Sequence, residues 1–67
     1  MRLTVNGREL VEAENGLSVG ALVDRLASRR RGVAVAVNGT VVPRSTWETA
    51  RLSDGDAVEV LTAAQGG

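Results

Sequence analysis

Residues 1–13 read MRLTVNGRELVEA and predict a β-hairpin. Apolar and polar residues alternate over Met1–Val5, the period expected of a strand with one buried face. Asn6-Gly7 follows directly, and this pair favours a type I′ turn, in which both central residues need positive φ. The returning strand is predicted over Arg8–Ala13. The first part of the chain is therefore expected to form an antiparallel pair of strands.

A helix is predicted next, from Val19 to Arg31. Ser18 is the expected N-cap, since its hydroxyl can accept a hydrogen bond from a free N–H of the first turn. Three arginines, Arg29–Arg31, are expected in the last turn, where positive charge complements the helix dipole, and Gly32 is the expected C′ residue. Apolar residues recur at helical spacing and form one stripe: Val19, Leu22, Val23 and Leu26.

Three further strands are predicted after the helix. Residues 33–37, VAVAV, are typical of a central strand. Asn38-Gly39 predicts a second tight turn, leading into a strand over residues 40–42. Pro43 has no backbone N–H, so this strand is expected either to lie at an edge of the sheet or to end there. The last strand is predicted over residues 57–62.

A short turn and a loop are expected between the last two strands. Ser45 and Glu48 have the spacing of a capping box, with Ser45 as N-cap, and predict a single helical or 3₁₀ turn. Residues 52–56, LSDGD, predict a loop, and their acidic residues lack the spacing of a calcium-binding EF-hand.

The order β-β-α-β-β-β predicts an α+β fold of the β-grasp (ubiquitin-like) type. We expect a mixed sheet of four to five strands with one main helix packed on one face. The first and last strands are the expected parallel neighbours at the centre of the sheet. The folded domain is predicted over residues 1–62, and residues 63–67 are predicted to form a flexible tail ending in Gly-Gly.

Composition excludes many function classes. The 67 residues include no Cys, His, Lys, Tyr or Phe. Without these residues the chain has no disulfide, no thiol or imidazole catalyst and no lysine for a Schiff base, and no metal site is expected. Eight arginines balance eight acidic residues, so neither nucleic acid nor membrane is an expected partner. No signal peptide or membrane span is evident, and a cytoplasmic location is expected.

The tail, residues 63–67 with the sequence AAQGG, contains the group most suited to chemistry, the terminal carboxylate. Five extended residues reach at most ~18 Å, enough to enter a narrow channel of another protein. Gly66 and Gly67 have no Cβ to meet the channel walls, and Gln65 belongs to the same entering segment. A carboxylate must be activated, usually by ATP, and the chain lacks a phosphate-binding loop, so a partner enzyme is expected. A frayed end with no role is the alternative.

Three segments of the chain resemble one known family. They are VVPRSTW (residues 41–47), LSDGDAVEV (residues 52–60) and the final QGG (residues 65–67). Together they are similar to the ThiS family of thiamine-biosynthesis sulfur carriers. Ala63-Ala64 departs from that pattern, because bulkier aliphatic residues are common there in the family.

This resemblance implies a carrier rather than an enzyme. An E1-like activating enzyme of the ThiF type would adenylate Gly67 with ATP and Mg, and no cofactor would be bound by the chain itself. Sulfur supplied indirectly by a cysteine desulfurase would convert Gly67 to a thiocarboxylate, and a ThiG-type thiazole synthase would use that sulfur. Two alternatives stay open: a carrier of another pathway (molybdopterin, a secondary metabolite) or protein modifier, and a regulatory or RNA-associated β-grasp module.

Four residues of the folded domain are candidates for contact with a partner. Leu61 and Glu59 are expected on the sheet face opposite the helix. Trp47 is interpreted either as an interface anchor or as a partly buried lid over the core. Arg44 is a candidate to meet a carboxylate of a partner. For the run Arg29–Arg31, a solvated helix end is preferred over contact with nucleic acid or an acidic partner.

Overall fold

A five-stranded mixed sheet and one α-helix form the described part of the chain, residues 1–63 of a computed structural model. The spatial order of the strands is β2-β1-β5-β3-β4. This confirms the predicted β-grasp arrangement. The elements are β1 (Arg2–Val5), β2 (Arg8–Val11), α1 (Val19–Leu26), β3 (Val33–Val37), β4 (Thr40–Val41), a 3₁₀ turn (Arg44–Thr46) and β5 (Ala57–Thr62).

The last strand, β5, lies at the centre of the sheet. It runs parallel to β1, with Val58 opposite Val5, and antiparallel to β3, with Val60 opposite Val35. The predicted parallel pairing of the first and last strands is therefore confirmed. The position of β4 at the edge also agrees with the prediction from Pro43, which follows it in the sequence.

Both predicted Asn-Gly turns have the expected backbone. Asn6 and Gly7 have φ angles of 51° and 81°, and Asn38 and Gly39 have φ angles of 51° and 85°. Positive φ at both central residues matches the twist of the flanking strands. The turns connect β1 to β2 and β3 to β4 as tight hairpins.

The two turn asparagines also bind the central strand through their side chains. Asn6 Oδ1 accepts from the backbone N–H of Val60 at 2.8 Å, and its Nδ2 donates to the Val60 carbonyl at 3.1 Å. Asn38 Oδ1 accepts from the N–H of Ala57 at 2.9 Å, and its Nδ2 donates to Asp56 at 3.0 Å. Both hairpins are thereby tied to β5, a role that local turn preference does not predict.

The helix begins as predicted but ends earlier. Ser18 Oγ accepts from the N–H of Ala21 at 3.0 Å, which confirms the N-cap. However, α1 ends at Leu26, and Ala27 is already extended with φ −132° and ψ 147°. The prediction of helix through Arg29–Arg31 was wrong, as was the assignment of Gly32 as its C′ residue. Since positions 29 and 30, which would continue the apolar stripe, are arginines, a longer helix would bury no further apolar surface.

The capping box predicted at Ser45 and Glu48 is absent, although the short turn itself is confirmed. Ser45 lies inside the 3₁₀ turn, which is preceded by Pro43 and has no side-chain cap. Pro43 supplies the carbonyl that accepts from the backbone N–H and the hydroxyl of Thr46, each at 2.9 Å. The Glu48 carboxylate instead pairs with Arg30. A tertiary ion pair has replaced the local cap.

The core lies between α1 and one face of the sheet. Leu22 and Val23 of α1 are completely buried, and Trp47 covers the same cluster. Buried side chains alternate along β1 and β5, which gives each strand one inner and one outer face. The core residues are Leu3, Val5, Leu17, Val19, Leu22, Val23, Val33, Val35, Trp47, Leu52, Val58 and Val60.

Replacing Leu22 with alanine is expected to lower the free energy of unfolding by about 2–5 kcal/mol, because its side chain is 0% exposed and alanine would leave a cavity. That loss is large against the roughly 3–10 kcal/mol expected for a domain of this length. Urea denaturation followed by Trp47 fluorescence measures it. Leu61→Ala is the matched control, since Leu61 is 66% exposed and should change stability by no more than about 0.5 kcal/mol. Equal losses in both variants would contradict the assigned core.

Asn6→Gly tests the bonds between the first turn and β5. Glycine keeps the positive φ but removes both hydrogen bonds to Val60, so we expect a loss of about 1–3 kcal/mol. Asn15→Gly is the matched control, because within residues 1–63 no hydrogen bond of the Asn15 side chain is present. Thermal unfolding of both variants measures the difference. An unchanged stability in Asn6→Gly would show that the turn needs only the positive φ at position 6 and not the side-chain bonds to Val60.

Candidate functional site

The chain enters its tail at the end of the central strand. Thr62, the last residue of β5, lies opposite Val33, and the N–H of Ala63 donates to the Gly32 carbonyl at 2.7 Å. The predicted tail residues Gln65, Gly66 and Gly67 lie outside the described residues. Four residues separate Ala63 from the end of the chain, and they span at most ~14 Å when extended.

The sheet face opposite α1, here called the open face, presents two of the four candidate contact residues. Leu61 is 66% exposed, and Glu59 is exposed on the same strand and the same side. Ala34 lies opposite Leu61 and Ala36 lies opposite Glu59. Val41, 70% exposed, lies opposite Ala36. The sheet thus places an apolar strip with one carboxylate on the side where partner contact was predicted.

Val41 was missed by the sequence analysis as a member of this face. Its neighbours are set by the register across the second Asn-Gly turn, in which Val37 lies opposite Thr40 and Ala36 lies opposite Val41. Because paired residues of antiparallel strands point to the same side, this register could have placed Val41 beside Ala36.

Trp47 belongs to the core, not to a contact surface. Its side chain is 1% exposed, and its Nε1–H donates to the Val42 carbonyl at 2.9 Å. Its own carbonyl accepts from the N–H of Gly20 in the first turn of α1 at 3.1 Å. The interpretation of Trp47 as an interface anchor is therefore corrected. The backbone carbonyl of Trp47 thus connects the segment after β4 to the first turn of the helix, while the indole bonds Val42 within that segment.

Arg44 is exposed but has partners within the chain. Its Nη2 donates to the Arg30 carbonyl at 2.9 Å, and its guanidinium carbon lies 5.5 Å from the centroid of the Trp47 ring. This distance is within the range of a cation–π contact. The structure thus gives Arg44 an intramolecular role that the sequence analysis did not predict.

Arg30 is held by an ion-pair network rather than projecting from a helix end. Its Nε and Nη2 donate to the two oxygens of the Asp24 carboxylate, each at 2.9 Å, and its Nη1 donates to Glu48. The hydrogen bond from Arg30 lowers the pKa of Asp24, and the bonds to Asp24 and Glu48 raise the pKa of Arg30 further above its usual range. Of the three consecutive arginines, the middle one is therefore a structural residue.

Gly20 makes room for this network. A Cβ at position 20 would lie 2.7 Å from Glu48 Oε2 and 2.8 Å from Arg30 Nη2. Glycine inside a helix costs about 1 kcal/mol relative to alanine. Both neighbouring atoms are the ends of flexible side chains, so a Cβ at this position would displace the Arg30–Glu48 pair rather than the backbone.

An open groove of about 550 Å³ lies between the first hairpin and the end of α1. Its lining includes the apolar side chains of Leu10, Leu26 and Val60, together with Thr62 at the end of β5. Within the part of the chain that the structure describes, no group of three acidic side chains is placed to bind a metal ion. The longest apolar helix among residues 1–63 is too short to cross a membrane.

Comparisons with known proteins agree with this geometry. The sequence profile of the ThiS family matches residues 1–67. The chain is 30% identical over 59 residues to the sulfur carrier protein ThiS of Escherichia coli (strain K12), covering 88% of this chain and 89% of that protein. It is also 34% identical over 67 residues to a thiazole synthase of Paramagnetospirillum magneticum (strain ATCC 700264 / AMB-1), covering all of this chain but 20% of that protein.

Solved structures show the same fold. The crystal structure of the thiamine biosynthesis protein (ThiS) from Geobacter metallireducens superposes with a TM-score of 0.83 at 38% identity, and each chain is covered completely. The solution NMR structure of a thiamine biosynthesis protein from the same organism gives a TM-score of 0.84 at 38% identity, covering 100% of this chain and 88% of that one. On its sequence over the full length and on its fold, the chain belongs to the ThiS family.

Proposed function

We propose that this chain is a sulfur carrier of thiamine biosynthesis that carries sulfur as a thiocarboxylate on Gly67. The observation that supports this most directly is the Gly-Gly end, which is separated by three residues from the strand at the centre of a ThiS-family fold. The chain is not an enzyme in this scheme. Its folded domain presents the tail, and partner enzymes supply the chemistry.

The chemistry starts with activation of the carboxylate. An E1-like enzyme of the ThiF type, with Mg-ATP, would join the Gly67 carboxylate to AMP and release pyrophosphate. A persulfide sulfur that originates from a cysteine desulfurase would then attack the acyl carbon, and AMP would leave. Cleavage of the remaining S–S bond by a thiol would leave the thiocarboxylate on Gly67. ATP and Mg belong to the partner enzyme.

The composition of the chain suits an activated acyl group. An acyl adenylate is attacked by amines, thiols and imidazoles, and the chain contains no Lys, Cys or His. Hydroxyl groups and the terminal amine are the remaining nucleophiles. The eight basic residues are all arginine, whose guanidinium stays protonated and is a poor nucleophile. Self-acylation of the carrier is therefore limited by its amino-acid content.

A thiazole synthase is the proposed acceptor of the sulfur. The similarity of this whole chain to a fifth of a thiazole synthase supports that partner. The apolar strip of the open face, with Leu61 and Val41 exposed, and the adjacent tail provide a surface and a reactive end on the same molecule. The carrier would have to meet the activating enzyme and the synthase in turn, since both act on Gly67.

Incubation with an E1-like activating enzyme, Mg-ATP and a persulfide sulfur source is expected to raise the intact mass by the difference between one sulfur and one oxygen. Deletion of Gly67 should abolish this gain, because the chain then ends too early to reach the reaction centre. The same mixture without ATP is the control for non-enzymatic sulfur addition. No mass gain in the intact chain, or an equal gain after deletion of Gly67, would refute a carrier role.

Loss of the gene tests the pathway. We expect cells that lack it to need added thiamine, and we expect the intact gene, but not the gene lacking the Gly67 codon, to restore growth without thiamine. Growth on medium without thiamine, measured in a strain with no second copy, is the readout. Undiminished growth together with a positive mass gain would assign the carrier to another sulfur pathway.

A further inference from the structure

We infer that Arg44 and Gly32 are positioning residues that determine how the chain leaves the sheet into its reactive tail. This inference rests on the proposed carrier function and concerns the same end of the chain. Arg44 bonds the segment Arg30–Gly32, the last part of the connection from α1 to β3, and Gly32 within that segment bonds Ala63. Neither residue needs to touch the reacting carboxylate.

The carbonyl of Arg30 is the first anchor of this segment. It accepts from Arg44 Nη2 at 2.9 Å and from the N–H of Val33 at 3.1 Å. The bond to Val33 closes the local turn, whereas the bond to Arg44 connects the turn to a different part of the chain. A hydrogen bond from a charged donor is stronger than one between neutral groups.

Arg44 is itself held in place by the core. Its guanidinium carbon lies 5.5 Å from the centroid of the Trp47 ring, and Trp47 is 1% exposed. The N–H of Trp47 donates to the Arg44 carbonyl at 3.1 Å. The donor to Arg30 thus lies over the ring of a buried side chain, a contact that restricts its position.

The side chain of Arg30 adds a second anchor. It bonds both carboxylate oxygens of Asp24 on α1 and also pairs with Glu48, which follows the 3₁₀ turn. Its guanidinium carbon lies 5.9 Å from the Trp47 centroid, so both arginines lie near the same ring. The segment that contacts the tail is therefore connected to the helix, to the residues after β4 and to the core.

Gly32 links the anchored segment to the start of the tail through a backbone hydrogen bond. Its carbonyl accepts from the N–H of Ala63 at 2.7 Å, which extends the pairing between β3 and β5 by one residue beyond Thr62. Its φ of +78° is unfavourable for residues with a Cβ, and a Cβ there would lie 3.3 Å from Cβ of Ala63. A side chain at this position would therefore disturb the turn and the start of the tail together.

The short reach of the tail makes this placement matter. Only four residues follow Ala63, and they span at most ~14 Å. If Ala63 loses its pairing and shifts, the displacement is large relative to that reach. A smaller fraction of encounters with the enzyme would then place the tail in the channel that receives it. Loss of the anchors should weaken productive binding and leave the chemical step, once Gly67 is seated, nearly unchanged.

Two variants provide independent tests of the inference. Arg44→Ala removes the bond to Arg30, and Gly32→Ala adds a Cβ without changing charge. In the isolated protein, NMR hydrogen exchange of the Ala63 amide should become about two- to tenfold faster in each. With an E1-like activating enzyme and Mg-ATP, pyrophosphate release should show a KM for the carrier raised by a similar factor of about two to ten, with kcat nearly unchanged.

Arg51→Ala is the matched control. Arg51 Nη1 donates to the Gly16 carbonyl at 3.3 Å, so this variant also removes an arginine that holds a loop, but the loop precedes α1. It should leave Ala63 exchange and KM at wild-type values, and melting curves of all three variants measure any general loss of stability.

A raised KM in Arg44→Ala with unchanged Ala63 exchange would overturn the inference, because Arg44 would then contact the enzyme directly. Unchanged KM, or equal effects in Arg51→Ala, would also overturn it. If the wild-type chain itself is not adenylated, the carrier function fails, whereas the exchange measurement still tests the anchors.

Discussion

The structure depends on the placement of its C-terminal strand at the centre of the sheet. β5 pairs with the first strand on one side and with β3 on the other, so neither half of the fold is complete until the end of the chain is in place. The side chains of Asn6 and Asn38 add hydrogen bonds from both hairpins to the same strand. The predicted tail therefore follows directly on the strand at the centre of the sheet.

The residues beside the predicted tail are held by tertiary contacts. The first residue after β5, Ala63, is paired to Gly32, and the segment before Gly32 is attached to Trp47 through Arg44. Exposed ion pairs contribute little stability on their own in water. Here three interactions act on one segment: the ion pairs of the Arg30 side chain, the hydrogen bond from Arg44 to the Arg30 carbonyl, and the contact of both arginines with the buried Trp47 ring. Their combination defines the position of the segment.

Much of the fold could be predicted because its signals are local. Asn6-Gly7 and Asn38-Gly39 require positive φ, and Ser18 offers a hydroxyl to free N–H groups one turn ahead. Each of these preferences acts within a few residues and was met in the structure. The carboxylate of Glu48 behaved differently, because it pairs with Arg30, eighteen positions away in the sequence, and not with a local helix end.

The sequence by itself determined the order of strands and helix and the family to which the chain belongs. The Gly-Gly end and the lack of Lys, Cys and His, on which the proposed chemistry rests, are likewise properties of the sequence. Only the tertiary structure decided that α1 ends at Leu26, that Trp47 is buried, that Arg44 bonds the Arg30 carbonyl and that Gly32 bonds Ala63. The physical reason is that these outcomes depend on hydrogen bonds, ion pairs and burial between distant residues, which exist only once the sheet has assembled.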